Sequence, residues 1–210
     1  MEKYKMLVDG LRNGDAQLCA KLTCELLEDG ETRERIVSNG IHPAMDMMNS
    51  KCTSEQFNLL ELMLTGRAVL SVVKTIYPDD YSQMATRETV VVAALEGDIH
   101  DLGKGIVKMA LSSKGFKIID CGKDASLESV IEAAISQNAS AVCVSGLISG
   151  VIPQVAQLKS RLAKKGGGDI FVLAGGAALS QCSKEELGVD FVGSNAFDAL
   201  SFLQDKFGGV

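Results

Sequence analysis

Val90-Val91-Val92-Ala93-Ala94-Leu95, followed at once by Glu96-Gly97-Asp98-Ile99-His100-Asp101-Leu102-Gly103, is the stretch that decides how this chain folds. Six apolar residues without a polar interruption suit a strand buried on both faces, the pattern of a parallel sheet. Glycine and aspartate then mark a sharp loop, and Gly105 to Leu111 returns to helical spacing. A strand that hands over to a helix places this loop at a carboxyl end, where open α/β sheets keep their ligands. The loop holds one of the two histidines of the chain. An imidazole with a carboxylate two residues before it suits metal binding or acid–base chemistry. The plainer alternative is that Asp98 and Asp101 cap the helix that follows.

Downstream the pattern alternates. It predicts strands over 89–95, 116–120, 140–145, 170–174 and 190–193, and helices over 103–114, 126–137, 151–165, 181–187 and 196–207. Five β–α units in a row imply a parallel sheet covered on both faces. A flavodoxin-like (Rossmann-type) doubly wound sheet in the order 2-1-3-4-5 is expected.

Upstream there are no strand-like runs. Leu7 and Leu11 mark a short helix broken at Asn13-Gly14-Asp15, and Leu18, Leu22 and Leu26 mark a second that stops at Asp29-Gly30. A third runs from Thr32 towards Met48, interrupted near Gly40 and Pro43. A fourth begins at Thr53 or Ser54 and carries Leu59, Leu60, Met63, Leu64 and Val69, an apolar stripe expected to be mainly bundle core. Short connections favour an antiparallel four-helix bundle. Tyr77-Pro78-Asp79-Asp80-Tyr81-Ser82-Gln83 reads as a linker. The expected organisation is therefore a helical cap over 1–76, a linker over 77–88 and an α/β domain over 89–210.

With 210 residues, 46% hydrophobic and 23% charged, the chain has the balance of a folded globular protein. A net charge of −6 leaves no basic surplus for nucleic acid or an anionic membrane surface. The start, Met1-Glu2-Lys3-Tyr4-Lys5-Met6, lacks the apolar core of a signal peptide, and no run of about 18 apolar residues suggests a membrane span. Six cysteines without a C-x-x-C pair suit reduced thiols, so a cytoplasmic location is expected.

In the 2-1-3-4-5 order, strands 1 and 3 are neighbours at the point where the winding reverses. The loop with Asp98 and His100 then faces Ser145-Gly146-Leu147 after strand 3, with Gly175-Gly176 after strand 4. Other site types fit poorly. Gly97 to Gly103-Lys104 has five intervening residues where a phosphate loop has four, and Gly105 stands where its Ser or Thr belongs. No G-x-S-x-G elbow is present. His42, beside Pro43, reads as structural.

Asp98-x-His100-x-x-Gly103, then Ser145-x-Leu147, then Gly175-Gly176, resembles the cobalamin-binding signature of methionine synthase and of the corrinoid proteins of methyl-transfer systems. The wider run from Glu96 to Val107 strengthens the resemblance, and so does Ser145-Gly146-Leu147-Ile148. It spans nearly the whole chain, because these proteins pair a four-helix cap with a corrinoid-binding α/β domain. The resemblance implies that His100 is the lower ligand of cobalt, that Asp98 holds its other ring nitrogen, and that Ser145 extends that hydrogen-bonded chain. It further places Asp101 and Gly103 beside the cofactor, Gly175 and Gly176 at its nucleotide tail, and Leu147 along the tail channel. The implied partners are a substrate-specific methyltransferase, an acceptor methyltransferase and a reductive activator, with this chain as the methyl carrier. In the fourth helix, Glu61-Leu62-Met63-Leu64-Thr65-Gly66-Arg67-Ala68-Val69 resembles the segment over the upper face of the corrinoid. There Leu60 replaces a common proline and Val69 a usual methionine. A cobalamin-dependent sensor or regulator shares the architecture but adds a signalling module. The small subunit of a cobalamin-dependent mutase shares the core but generally lacks the cap.

Overall fold

The computed structural model describes residues 2–53, 58–77 and 87–208, and most of the expected linker over 77–88 lies outside these residues. The chain divides into two compact units, Met1–Ala85 with Ser113–Gly115, and Thr86–Ser112 with Phe116–Val210. The first is helical. Its elements are α1 (Glu2–Arg12), α2 (Ala16–Glu28), α3 (Arg33–Ile36), a π turn (Val37–Ile41), α4 (His42–Thr53) and α5 (Leu59–Ile76). Asp15 caps α2 through the Leu18 N–H and Thr32 caps α3 through the Arg35 N–H. The π turn has a local cause. Pro43 has no N–H to give to the fourth residue back, and just before it the His42 N–H reaches one residue further, to the Val37 carbonyl.

Helix α5 departs from the sequence-based expectation twice. It starts at Leu59, where the Asn58 side chain accepts from the Leu60 N–H, whereas Thr53 belongs to the end of α4 and Ser54 lies outside the described residues. Its apolar residues also divide between two faces. Leu62, Ala68, Val69, Val72 and Ile76 are buried, but Leu60, Met63, Leu64 and Leu70 are exposed, so the stripe is only partly bundle core. The buried set follows the 3.6-residue period and the exposed set falls outside that arc.

The second unit is a five-stranded, wholly parallel sheet. Its strands are β1 (Thr89–Ala94), β2 (Lys117–Asp120), β3 (Ala141–Ser145), β4 (Phe171–Gly175) and β5 (Phe191–Gly193), in the expected order β2-β1-β3-β4-β5. The connections carry α6 (Leu102–Ser113), α7 (Leu127–Ser136), α8 (Ile152–Lys164), α9 (Lys184–Leu187) and α10 (Ala196–Phe207). Alternation of side chains along each strand sends Val91, Ala93, Val142, Val144, Val172 and Ala174 into one apolar cluster with Val130, Ile131, Val155 and Leu158. The intervening Val90, Val92, Ala141, Cys143 and Leu173 are buried as well, so both faces of the sheet are covered. The helix expected over 181–187 shrinks to the single turn of α9, because Ser183 and Glu186 form a capping box at its start and Gly188 turns left-handed at its end.

Registers run Ala94↔Ser145, Ser145↔Gly175 and Gly175↔Gly193. The carboxyl ends of four adjacent strands thus finish in a row of small residues, at the side of the sheet where β1 and β3 meet.

Candidate functional site

The site begins where β1 ends. Asp98 donates its N–H back to the Leu95 carbonyl at 2.9 Å, closing a turn whose third residue, Gly97, has a φ of 93°. Turns of this kind need a positive φ at that position, which glycine adopts without strain. The turn is tied down from outside. Asp124 accepts the Gly97 N–H at 2.7 Å and gives its own N–H to the Asp98 carbonyl at 3.0 Å. Gln154, in the first turn of α8, donates to the Glu96 carbonyl at 2.8 Å.

This fixed turn points the Asp98 carboxylate inward, where it is 1% exposed. Its Oδ1 accepts the His100 N–H at 2.9 Å and lies 2.7 Å from His100 Nδ1, while Oδ2 accepts the Leu147 N–H at 2.6 Å. Burial works against the charge of Asp98. The backbone N–H groups of Leu147 and His100, with the imidazole, outweigh it and hold the carboxyl below its ordinary value. An ionised carboxylate can only accept, so Nδ1 carries the proton and donates to Asp98. In the neutral ring that leaves Nε2 with a free lone pair. The His100 side chain is 51% exposed.

The sequence-derived site residues divide into two groups. Asp98, His100 and Leu147 meet directly, the last through its backbone N–H, a partner no side-chain pattern reveals. Gly103 and Ser145 are neighbours, since a Cβ on Gly103 would lie 2.9 Å from Ser145 Oγ. Among the described residues the Ser145 hydroxyl makes no hydrogen bond to Asp98, whose second oxygen accepts the Leu147 N–H. Gly175 lies beside Ser145 in register, and a Cβ there would stand 3.4 Å from the Gly193 carbonyl oxygen. Gly176 has a packing reason to be glycine. Its φ is 100° and a Cβ there would stand 2.6 Å from the Gly146 carbonyl oxygen. Asp101 turns elsewhere, its Oδ1 2.8 Å from Lys104 Nζ. Asp124, Gln154 and Lys104 are the residues sequence reasoning missed, because each reaches the loop from another element or by a long side chain.

Exposed apolar side chains neighbour the centre along the chain, with Ile99 64%, Leu147 47% and Ile148 37% exposed. Large exposed apolar side chains beside a polar centre mark a surface meant to be covered. No cluster of three or more His, Cys, Asp or Glu that could hold a bare metal ion occurs among the described residues. His100 therefore offers one anchored nitrogen donor, with exposed apolar residues beside it in the chain.

Known proteins are similar to this chain along nearly its whole length. Monomethylamine corrinoid protein 2 of Methanosarcina mazei is 29% identical over 205 residues, covering 94% of both chains. Trimethylamine corrinoid protein 1 of the same species is 26% identical over 197 residues, covering 92% of this chain and 91% of its own. Among solved structures, a methanol:cobalamin methyltransferase complex from Methanosarcina barkeri has the same fold, with a TM-score of 0.80 at 20% identity over 100% of this chain and 81% of that one. Residues 88–201, more than half of the chain and the whole of the site just described, match the B12 binding domain, and the chain belongs to that family.

Proposed function

We propose that this chain is a corrinoid protein that carries a methyl group between a substrate-specific methyltransferase and an acceptor methyltransferase, with a reductive activator as third partner. The single observation that carries the reading is the half-exposed His100, held through Nδ1 by a buried carboxylate and left with Nε2 free. A metal in a macrocycle brings most of its own ligands and needs one donor from the protein, which is what this site offers. A bare ion would need several, and no such cluster occurs among the described residues. The exposed Ile99, Leu147 and Ile148 suit the broad apolar face of a corrin ring, and the small row Ala94, Ser145, Gly175 and Gly193 leaves room for its tail.

When bound, the corrinoid supplies a metal that takes up and releases a methyl group. His100 would hold the metal through Nε2, and Asp98 would fix the tautomer and raise the basicity of the imidazole. Gly103, Ser145, Leu147, Gly175 and Gly176 would shape the surroundings of the corrinoid and its tail. Residues 1–76 act as the cap and 77–88 as its linker. The relatives that match along the whole chain, two of them methylamine corrinoid proteins by name, support the carrier role and the methyltransferase partners. The free thiols of Cys19, Cys24, Cys121, Cys143 and Cys182 support work in a reducing cytoplasm. Among the described residues no helix is long and apolar enough to cross a membrane.

The test is reconstitution of the full chain with a corrinoid. The cobalt(II) form should show electron paramagnetic resonance splitting from a single nitrogen, and His100→Ala should lose it. Labelled methyl groups should move from a methylamine onto the loaded chain when the matching methyltransferase is present. Failure to retain corrinoid, or a nitrogen signal unchanged in His100→Ala, would overturn the assignment.

A further inference from the structure

Lys104 is the third residue of α6, and its side chain is only 4% exposed. Both facts count against a lysine. A buried ammonium loses its hydration, and the first turn of a helix carries partial positive charge. An apolar residue would fill a core position without either penalty. What compensates is a pair of carboxylates, Asp101 Oδ1 at 2.8 Å and Asp120 Oδ1 at 2.5 Å.

The two carboxylates differ. Asp120 ends β2 and is held independently, because Gly122 gives it an N–H at 2.9 Å and Lys108 Nζ lies 3.0 Å from its other oxygen. Asp101 is 60% exposed, and Lys104 is its side-chain partner among the described residues. Lys104 thus ties an exposed group to one held from two other sides. The exposed group is the residue next to His100. On the other side of His100, Asp98 is tied to Leu147, just past β3. Since β1 pairs with both β2 and β3, the loop that follows it is clamped to the carboxyl ends of both neighbouring strands.

Resting on the reading of His100 as the cobalt ligand, we infer that Lys104 is a positioning residue, which through Asp101 and Asp120 sets where the His100 imidazole stands. Asp101 then belongs to the clamp rather than to the surface that meets the cofactor. Asp98 fixes the rotation of the ring, and the Lys104 bridge fixes the backbone that carries it.

The experiment uses the full chain with three changes, Asp101→Asn, Lys104→Met and Lys104→Arg. In the apo protein, amide hydrogen exchange over residues 99–103 should quicken in Asp101→Asn and Lys104→Met, while the amides of β3 keep their protection. After loading with hydroxocobalamin and reduction to cobalt(II), both variants should show a smaller nitrogen-ligated fraction and about tenfold weaker corrinoid retention. Lys104→Arg should restore both. Asp101→Asn changes an exposed side chain and should fold even if Lys104→Met does not. An unchanged nitrogen-ligated fraction in Asp101→Asn, even with faster exchange, would overturn the inference, as would equal losses in Lys104→Arg and Lys104→Met. Absence of the nitrogen signal in the unaltered protein would instead sink the parent reading, leaving apo exchange to decide whether the clamp exists.

Discussion

The two histidines of this chain occupy opposite settings, and the contrast shows what makes an imidazole available. His42, at the start of α4, places Nε2 against the Ser113 carbonyl, and burial lowers its pKa with help from the Lys114 charge. His100 is half exposed, while the carboxylate that holds it is almost wholly buried. In the first region the ring itself is committed to the fold. In the second the partner is committed, and the ring is held at one nitrogen and open at the other. Burial of the partner, rather than of the histidine, is what distinguishes a presented donor from a structural one.

The largest test of that contrast removes the buried partner. Asp98→Ala takes an ionised acceptor from two backbone N–H groups and one ring N–H, and is expected to cost about 3 kcal/mol in urea unfolding of the apo chain. A loss under about 1 kcal/mol would mean that Asp98 adapts to its loop rather than organises it. Next come the histidines themselves. His42→Phe loses the bond to the Ser113 carbonyl and should cost about 1 kcal/mol, whereas His100→Phe should change apo stability by under about 0.5 kcal/mol. Reversal of that order would break the comparison.

The smallest effect is one of pH. Because the folded pKa of His42 lies below its ordinary value of 6.5, the unfolded chain takes up a proton first. The stability due to neutral His42 is full above about pH 6.5 and falls as the pH drops from there through the folded value. Melting temperatures should therefore decline between about pH 7.5 and 5.5 more steeply in the unaltered chain than in His42→Phe. Parallel curves for the two proteins would show that His42 is not held buried in solution.

Much of this fold was legible in advance because its signals are local. The unbroken run Val90 to Leu95 suits a doubly buried strand, and five such runs at helix-containing intervals imply a parallel sheet, whose expected order is the one found. Where prediction failed, a local signal was ambiguous. Thr53 and Ser54 look like a cap, but Asn58 starts α5. Leu60, Met63 and Leu64 look like core spacing, but the buried arc runs through Leu62, Val69 and Val72. The site was legible in its centre and not in its supports. Asp98 and His100 announce themselves by type and spacing, and Ser145 was a reasonable third member, being a polar side chain on the adjacent strand.

The sequence by itself determined the strand–loop–helix that presents His100, the parallel sheet around it and the small residues at its floor, since periodicity and residue size act over a few neighbours. Only the tertiary structure decided what holds the imidazole. The second oxygen of Asp98 goes to the backbone N–H of Leu147, which every residue but proline possesses and no sequence advertises. The ammonium of Lys104 bridges Asp101 to Asp120, which lies sixteen residues beyond the lysine. Such partners meet only when β2, β1 and β3 lie side by side, because hydrogen bonds and ion pairs depend on distance in space and not on separation along the chain.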